Sequence, residues 1–133
     1  MESGSPRRTW VLIALALVAA VYWLAMFAGT HLPLSTTPTN DPYSLDKLLH
    51  AAAFAGLAFL VSAVGWIWGL RSWKLYASVL VILAIYGMFD EATQALASNR
   101  NADIADWAAD MVGSALGIAT FALWSAWSAH AKP

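Results

Sequence analysis

An uninterrupted apolar run over residues 10–29 constrains this chain most, because about 20 consecutive apolar residues make a helix long enough to cross a bilayer. Three more apolar stretches follow, over residues 48–70, 73–97 and 107–127. Hydrophobic residues make up 60% of the 133 residues and charged residues only 11%, a composition typical of integral membrane proteins. The sequence therefore predicts an all-α, polytopic membrane protein: a four-transmembrane-helix bundle that forms a single domain over residues 1–133.

Two of these spans need a further argument. The first follows Arg7 and Arg8, as a signal peptide would, but it is longer than a signal-peptide core, so we expect it to be retained as a membrane helix. In the third, only residues 75–89 are continuously apolar, which is too short for a bilayer core. We therefore expect this helix to continue past Asp90 and Glu91, which would place both carboxylates about one turn below the membrane surface.

The basic residues predict an orientation. On one side of a four-span bundle lie Arg7, Arg8, Arg71, Lys74 and Lys132. The positive-inside rule assigns this side to the cytoplasm, so both termini are expected there. On the opposite, outward side lie seven of the eight acidic residues: Asp41, Asp46, Asp90, Glu91, Asp103, Asp106 and Asp110.

Polar side chains share helix faces with small residues in three of the predicted spans. Residues three or four positions apart lie on one face of a helix, and small residues there let two helices approach closely. These faces comprise Asp46, His50 and Ala53 in the second span, Ala84, Gly87, Glu91 and Gln94 in the third, and Asp106, Asp110, Gly113 and Gly117 in the fourth. We expect the three faces to bring their polar groups together near the outer surface.

Three short motifs occur in order at the outer ends of these spans: D-K-x-x-H over residues 46–50, E-x-x-Q over residues 91–94, and R-x-x-D-x-x-D-x-x-x-D-x-x-G-x-x-x-G over residues 100–117. In this combination the sequence resembles the VanZ-like family of small bacterial membrane proteins over about residues 10–127. The resemblance implies a protein of the cell envelope in the bacterial cytoplasmic (inner) membrane. The family takes its name from a member associated with glycopeptide antibiotic resistance, and the name implies no defined reaction.

The resemblance also suggests which residues form a site. The family's recurring polar positions correspond here to Asp46, Lys47, His50, Glu91, Gln94, Arg100, Asp103 and Asp106. Asp110 stands where the family more often has Asn, so a possible anion replaces a neutral side chain. With Asp110 added, these are the predicted binding residues.

Two classes of function stay open for this set. In the first, Lys47 and Arg100 contact phosphate or carboxylate groups, and the acidic residues contact amines or sugar hydroxyls of an envelope lipid, a lipid-linked cell-wall precursor or a glycopeptide-type amphiphile. In the second, the chain is a small membrane enzyme that acts on a lipid, with His50, Glu91 and Asp106 as candidate acid–base residues. We favour binding, because no nucleophile motif accompanies these groups.

Other ligands and roles can be weighed against these two. The net charge of −1 and the absence of a long basic tract argue against a nucleic-acid partner. The carboxylates and His50 could bind a divalent cation, but no compact metal motif is present, so we predict neither a metal nor another cofactor. A purely structural network, with Lys47 and Arg100 neutralising the carboxylates, is the alternative for each residue. His31, which lies in a Pro/Thr-rich segment, is expected to be solvated.

Overall fold

The computed structural model describes residues 5–31, 45–97 and 103–131, and these form four α-helices, each antiparallel to the next along the chain. The helices are α1 (Pro6–His31), α2 (Leu45–Trp68), α3 (Trp73–Ala97) and α4 (Ile104–His130). All four are long and apolar enough to cross a membrane. Each predicted span coincides with one helix to within four residues at either end, so the all-α, four-helix membrane bundle is confirmed.

The third helix extends beyond its apolar stretch, as crossing a bilayer requires. It continues through Asp90 and Glu91 and reaches Ala97. The turn before it begins at Gly69, whose φ of 118° lies in the left-handed region that glycine adopts without strain. The N–H of Leu70 donates to the carbonyl of Gly65 at 3.0 Å, which closes α2 with a Schellman cap.

The closest helix packing joins α2 to α4. A Cβ atom added at Gly113 would collide with the backbone carbonyl of Ala51, and one added at Gly117 would collide with that of Ala55. The two glycines therefore let the helix backbones touch, as their spacing predicts. Because Ala51 directly follows His50, this contact also sets the position of His50 against α4.

An apolar core fills the space between α2 and α3, and α1 lies at its edge. The core residues include Phe54 and Leu57 of α2 and Val79 of α3. None of the residues of α1 is fully buried. The hydroxyl of Tyr22 in α1 donates to the carbonyl of Ala53 at 3.1 Å, so α1 is held to α2 partly by a polar contact.

The antiparallel arrangement gives the bundle two chemically different ends. We call one the arginine end; it contains the start of α1, the end of α2, the start of α3 and the end of α4. Its basic residues in the described part of the chain are Arg7, Arg8, Arg71 and Lys74. We call the other the polar end, and it contains every acidic residue that the structure describes: Asp46, Asp90, Glu91, Asp103, Asp106 and Asp110.

Candidate functional site

Lys47 joins the beginnings of α2 and α4. Its Nζ donates to Asp103 Oδ2 at 2.8 Å and to Asp106 Oδ1 at 2.7 Å. Asp103 is the N-cap of α4 and also accepts a hydrogen bond from the Ala105 N–H at 2.8 Å. The Lys47 ammonium, and then this N–H, hold the pKa of Asp103 below its ordinary value because both favour the carboxylate form.

A buried histidine–carboxylate pair lies deeper in the same end. His50 Nδ1 is 3.0 Å from Asp110 Oδ1, and both side chains are almost completely buried. Gly87 of α3 faces this pair, because a Cβ atom added there would approach Asp110 Oδ2 to 3.1 Å. Gly87 of α3 thus leaves room for the carboxylate of Asp110 in α4. This agrees with the prediction that small residues and polar groups share the facing sides of these helices.

Glu91 completes this part of the site from α3. Its Oε2 accepts a hydrogen bond from the backbone N–H of Asp103 at 3.0 Å. One ligand-type atom each from His50, Glu91 and Asp110 lies within 4.8 Å of the others. Three helices therefore contribute a nitrogen or oxygen donor to one small buried volume.

Two carboxylate oxygens in this volume have no hydrogen-bond partner among the described residues. They are Glu91 Oε1 and Asp110 Oδ2, and both are inaccessible to solvent. The other buried polar side-chain atoms without a partner in the described residues are the hydroxyls of Ser62 and Ser114. Leaving a buried acceptor unpaired costs about 1–3 kcal/mol, and more when the group is charged. The site therefore has a surplus of acceptor capacity.

Asp90 forms a separate, fully satisfied network between α1 and α3. Its Oδ2 accepts a hydrogen bond from Gln94 Nε2 at 2.8 Å. Its Oδ1 accepts from the hydroxyl of Tyr86 at 3.3 Å and from that of Thr30 at 3.5 Å. The side chain of Gln94 is thereby bonded to Asp90, although the sequence placed it with the binding residues.

His31 is not solvated, so that expectation was wrong. Its side chain is 15% exposed, with Nε2 3.0 Å from the hydroxyl of Thr93 and the ring stacked on Phe27 at 4.0 Å. His31 Nδ1 also lies 3.9 Å from Asp90 Oδ1. Sequence reasoning missed this network as a unit, although the four-residue spacing of Tyr86, Asp90 and Gln94 indicated a shared helix face.

The remaining predicted site residues are placed as follows. Asp46 is half-buried, and one of its oxygens lies within 4.8 Å of ligand atoms of His50 and Asp106, which makes a second group able to hold a cation. Arg100 lies outside the described residues. Both candidate cation groups combine residues from different helices, so no short spacing motif could have indicated them. The prediction of no metal stays a prediction.

Comparison with known proteins identifies a family. The sequence matches the family model described as VanZ/LLP1 over residues 8–125. No curated protein and no solved structure gives a significant match. The matched segment contains the three motifs and nearly all of the four helices, so the resemblance drawn from the motifs is confirmed. The chain belongs to the VanZ/LLP1 family.

Proposed function

We propose that the polar end binds the head group of an envelope amphiphile: a lipid, a lipid-linked cell-wall precursor or a glycopeptide-type compound. One observation carries this proposal, namely the unpaired, buried oxygens of Glu91 and Asp110 beside His50. A ligand that supplies N–H or O–H donors, such as an amine or a sugar hydroxyl, would satisfy them. Such donors are common in the head groups of envelope lipids and cell-wall precursors.

The charges of the described residues support this choice of ligand. Among the described residues of the polar end, six carboxylates face one lysine, and the ammonium of Lys47 is already shared between Asp103 and Asp106. Intramembrane ionisable groups are costly unless they are paired or serve a ligand. A purely structural network would satisfy its members, as the Asp90 network does. Within the part of the chain that the structure describes, Glu91 Oε1 and Asp110 Oδ2 beside His50 do not meet that condition.

The location of the site supports an amphiphilic ligand. It lies where α2 and α4 begin and α3 approaches its end, so in a bilayer spanned by these helices it would lie near the boundary between head groups and acyl chains. The concentration of basic residues at the arginine end favours a cytoplasmic position for that end. The polar end would then face outward, toward the cell envelope, and both termini would be cytoplasmic.

A second function, catalysis on a lipid, is favoured by one specific contact. The buried pair of His50 and Asp110 resembles a histidine oriented by a carboxylate, and a carboxylate oxygen of Glu91 lies within 4.8 Å of a ring nitrogen of His50. Of the candidate bases, Glu91 is better suited than Asp106, whose Oδ1 is bonded to Lys47. Binding remains the preferred function, because the described residues supply no evident nucleophile at this pair.

The test compares two adjacent buried carboxylates, Glu91 and Asp90. The full chain is purified with its native lipids, and copurifying molecules are identified by mass spectrometry. Glu91→Gln keeps the shape of the side chain and removes its charge, so the variant should fold normally. The amount of copurifying molecule should fall by a factor of about ten or more. The control, Asp90→Asn, removes a charge from the satisfied network, so it should lower thermal stability and leave retention unchanged.

Two results would contradict the proposal. One is the absence of any copurifying amphiphile above the level found with an unrelated four-span protein. The other is a Glu91→Gln variant that retains the molecule fully and loses as much thermal stability as Asp90→Asn, which would make Glu91 structural. Conversion of the retained molecule by the wild-type chain, and not by Glu91→Gln, would favour the enzymatic alternative.

A further inference from the structure

We propose that His50, Glu91 and Asp110 bind a divalent transition-metal cation, of the Zn²⁺ or Mn²⁺ type, in the interior of the polar end. This inference deepens the proposed function and rests on it, since the cation would form part of the head-group site. The three side chains come from α2, α3 and α4, and all three are buried. A shared cation would therefore connect three of the four helices.

The geometry suits a cation. Ligand atoms of the three residues lie within 4.8 Å of one another. Nitrogen and oxygen ligands lie about 2.0–2.2 Å from Zn²⁺, which places two ligands of the same ion roughly 3.5 Å apart. Small rotations of these side chains would bring the ligand atoms from this separation to the shorter one that a bound ion requires. The space opposite Gly87, where a Cβ atom would approach Asp110 Oδ2, keeps α3 from blocking the carboxylate.

The unpaired oxygens provide an observation independent of this clustering. Glu91 is 7% exposed and Asp110 is completely buried, yet Glu91 Oε1 and Asp110 Oδ2 lack hydrogen-bond partners. Within the described residues neither carboxylate has an ion pair with Lys or Arg, since Lys47 is bonded elsewhere. One oxygen of Glu91 is bonded to the Asp103 N–H, and one oxygen of Asp110 is bonded to His50. The second oxygen of each carboxylate is left for a ligand.

Charge balance suits a divalent ion. Metal ligation requires ionised carboxylates and a neutral imidazole, and a divalent cation would cancel the two negative charges of that ligand set. The ligand set contains two oxygens and one nitrogen and no thiolate, a combination that suits Zn²⁺ and Mn²⁺. Three protein ligands also leave a coordination position open, which a head-group oxygen could occupy.

The alternative cation group shares His50 but is less suitable. It consists of Asp46, His50 and Asp106. Asp106 Oδ1 is 2.7 Å from Lys47 Nζ, so an ammonium group already neutralises this carboxylate. A cation there would have to displace or face that ammonium. The deeper group of His50, Glu91 and Asp110 has no such competitor among the described residues.

The test uses the full chain in detergent after treatment with a chelator. Titration with ZnCl₂ and, separately, with MnCl₂ is followed by calorimetry, and Mn²⁺ binding also by electron paramagnetic resonance. We expect one equivalent to bind, and Asp110→Asn and Glu91→Gln each to weaken binding by at least about tenfold. Asp90→Asn, which removes a neighbouring buried carboxylate outside the ligand set, should bind the cation as the wild type does. Thermal melts establish that each variant is folded.

The outcomes separate this inference from the proposed function. Failure of the folded wild type to bind either ion below millimolar concentration would overturn the cation site, as would equal binding by wild type, Asp110→Asn and Glu91→Gln. If Asp110→Asn does not fold, the Glu91→Gln titration decides. Head-group retention is measured with and without the chelator. If the protein retains a head group but binds no cation, the cation site is overturned and the proposed function stands. If it binds a cation but retains no head group, the result counts against the proposed function.

Discussion

The two ends of the bundle treat charged side chains in opposite ways. At the arginine end, the guanidinium of Arg8 caps the carbonyl of Ile67 at 2.7 Å, and Arg71 lies 5.2 Å from the ring centre of Trp66. Both arginines are exposed and neither reaches a carboxylate among the described residues. At the polar end, Lys47 and His50 each contact acidic groups on another helix. Charged groups at the surface are solvated, whereas charged groups between helices need partners.

The apolar surroundings differ in the same way. The arginine end contains a cleft of about 490 Å³ whose lining includes Phe59, Phe121 and Trp124. One turn beyond Asp110, toward the middle of the bundle, α2 and α4 approach closely through Gly113 and Gly117. This close approach removes water from the carboxylates, and it explains why the polar groups of the polar end form specific contacts. The glycine contact, together with the charges, therefore brings the polar groups of the candidate site together.

The largest effect is expected from Gly113→Leu. The added side chain would collide with the backbone carbonyl of Ala51, separate α2 from α4 and pull His50 away from Asp110. Overpacking of this kind costs about 3 kcal/mol, at the upper end of the usual range, because backbone cannot rotate away. Thermal melts and folded yield measure the loss.

Gly29→Leu is the matched control for this change, because nothing lies within 4 Å of a Cβ atom added at Gly29. The control should fold as the wild type does. Equal stability of the two variants would show that the contact between α2 and α4 does not hold the polar end together.

An intermediate effect is expected from Lys47→Met. The change leaves Asp106, which is 5% exposed, without its cation, and a loss of about 2 kcal/mol is expected because Lys47 itself is partly exposed. Arg8→Met at the arginine end removes an exposed donor and should change stability by no more than about 0.5 kcal/mol. Comparable losses for the two variants, measured as unfolding in denaturant, would remove the distinction between the ends.

The smallest effect on the fold is expected from single cysteines at the two ends. Ile104 at the polar end is 81% exposed and Ser72 at the arginine end is also exposed, so either substitution should leave stability nearly unchanged. The chain has no cysteine of its own. In intact cells, a membrane-impermeant thiol reagent should label Ile104→Cys and not Ser72→Cys. Labelling of Ser72→Cys alone would reverse the orientation and place the site in the cytoplasm.

The sequence predicts the helices and the buried face of α4 for physical reasons. In a bilayer, backbone groups must bond within their own segment, so an apolar run of sufficient length forms a helix. The buried face of α4 consists of Asp106, Asp110, Gly113 and Gly117 together with Ser114, Phe121 and Ser125. The first four are the residues that helical spacing had selected. A periodic pattern suffices for this result because a residue's face depends only on its position in its own helix.

The sequence did not predict how polar groups of different helices pair with one another. From the sequence follow the four helices, the buried faces of α3 and α4, and the end of the bundle that collects the acidic residues. The contact of Asp110 with His50, and the engagement of Gln94 and His31 in the network around Asp90, are seen only in the folded bundle. These contacts depend on how each helix is rotated and shifted against its neighbours, and close packing at a few small residues sets those offsets to within an ångström or so.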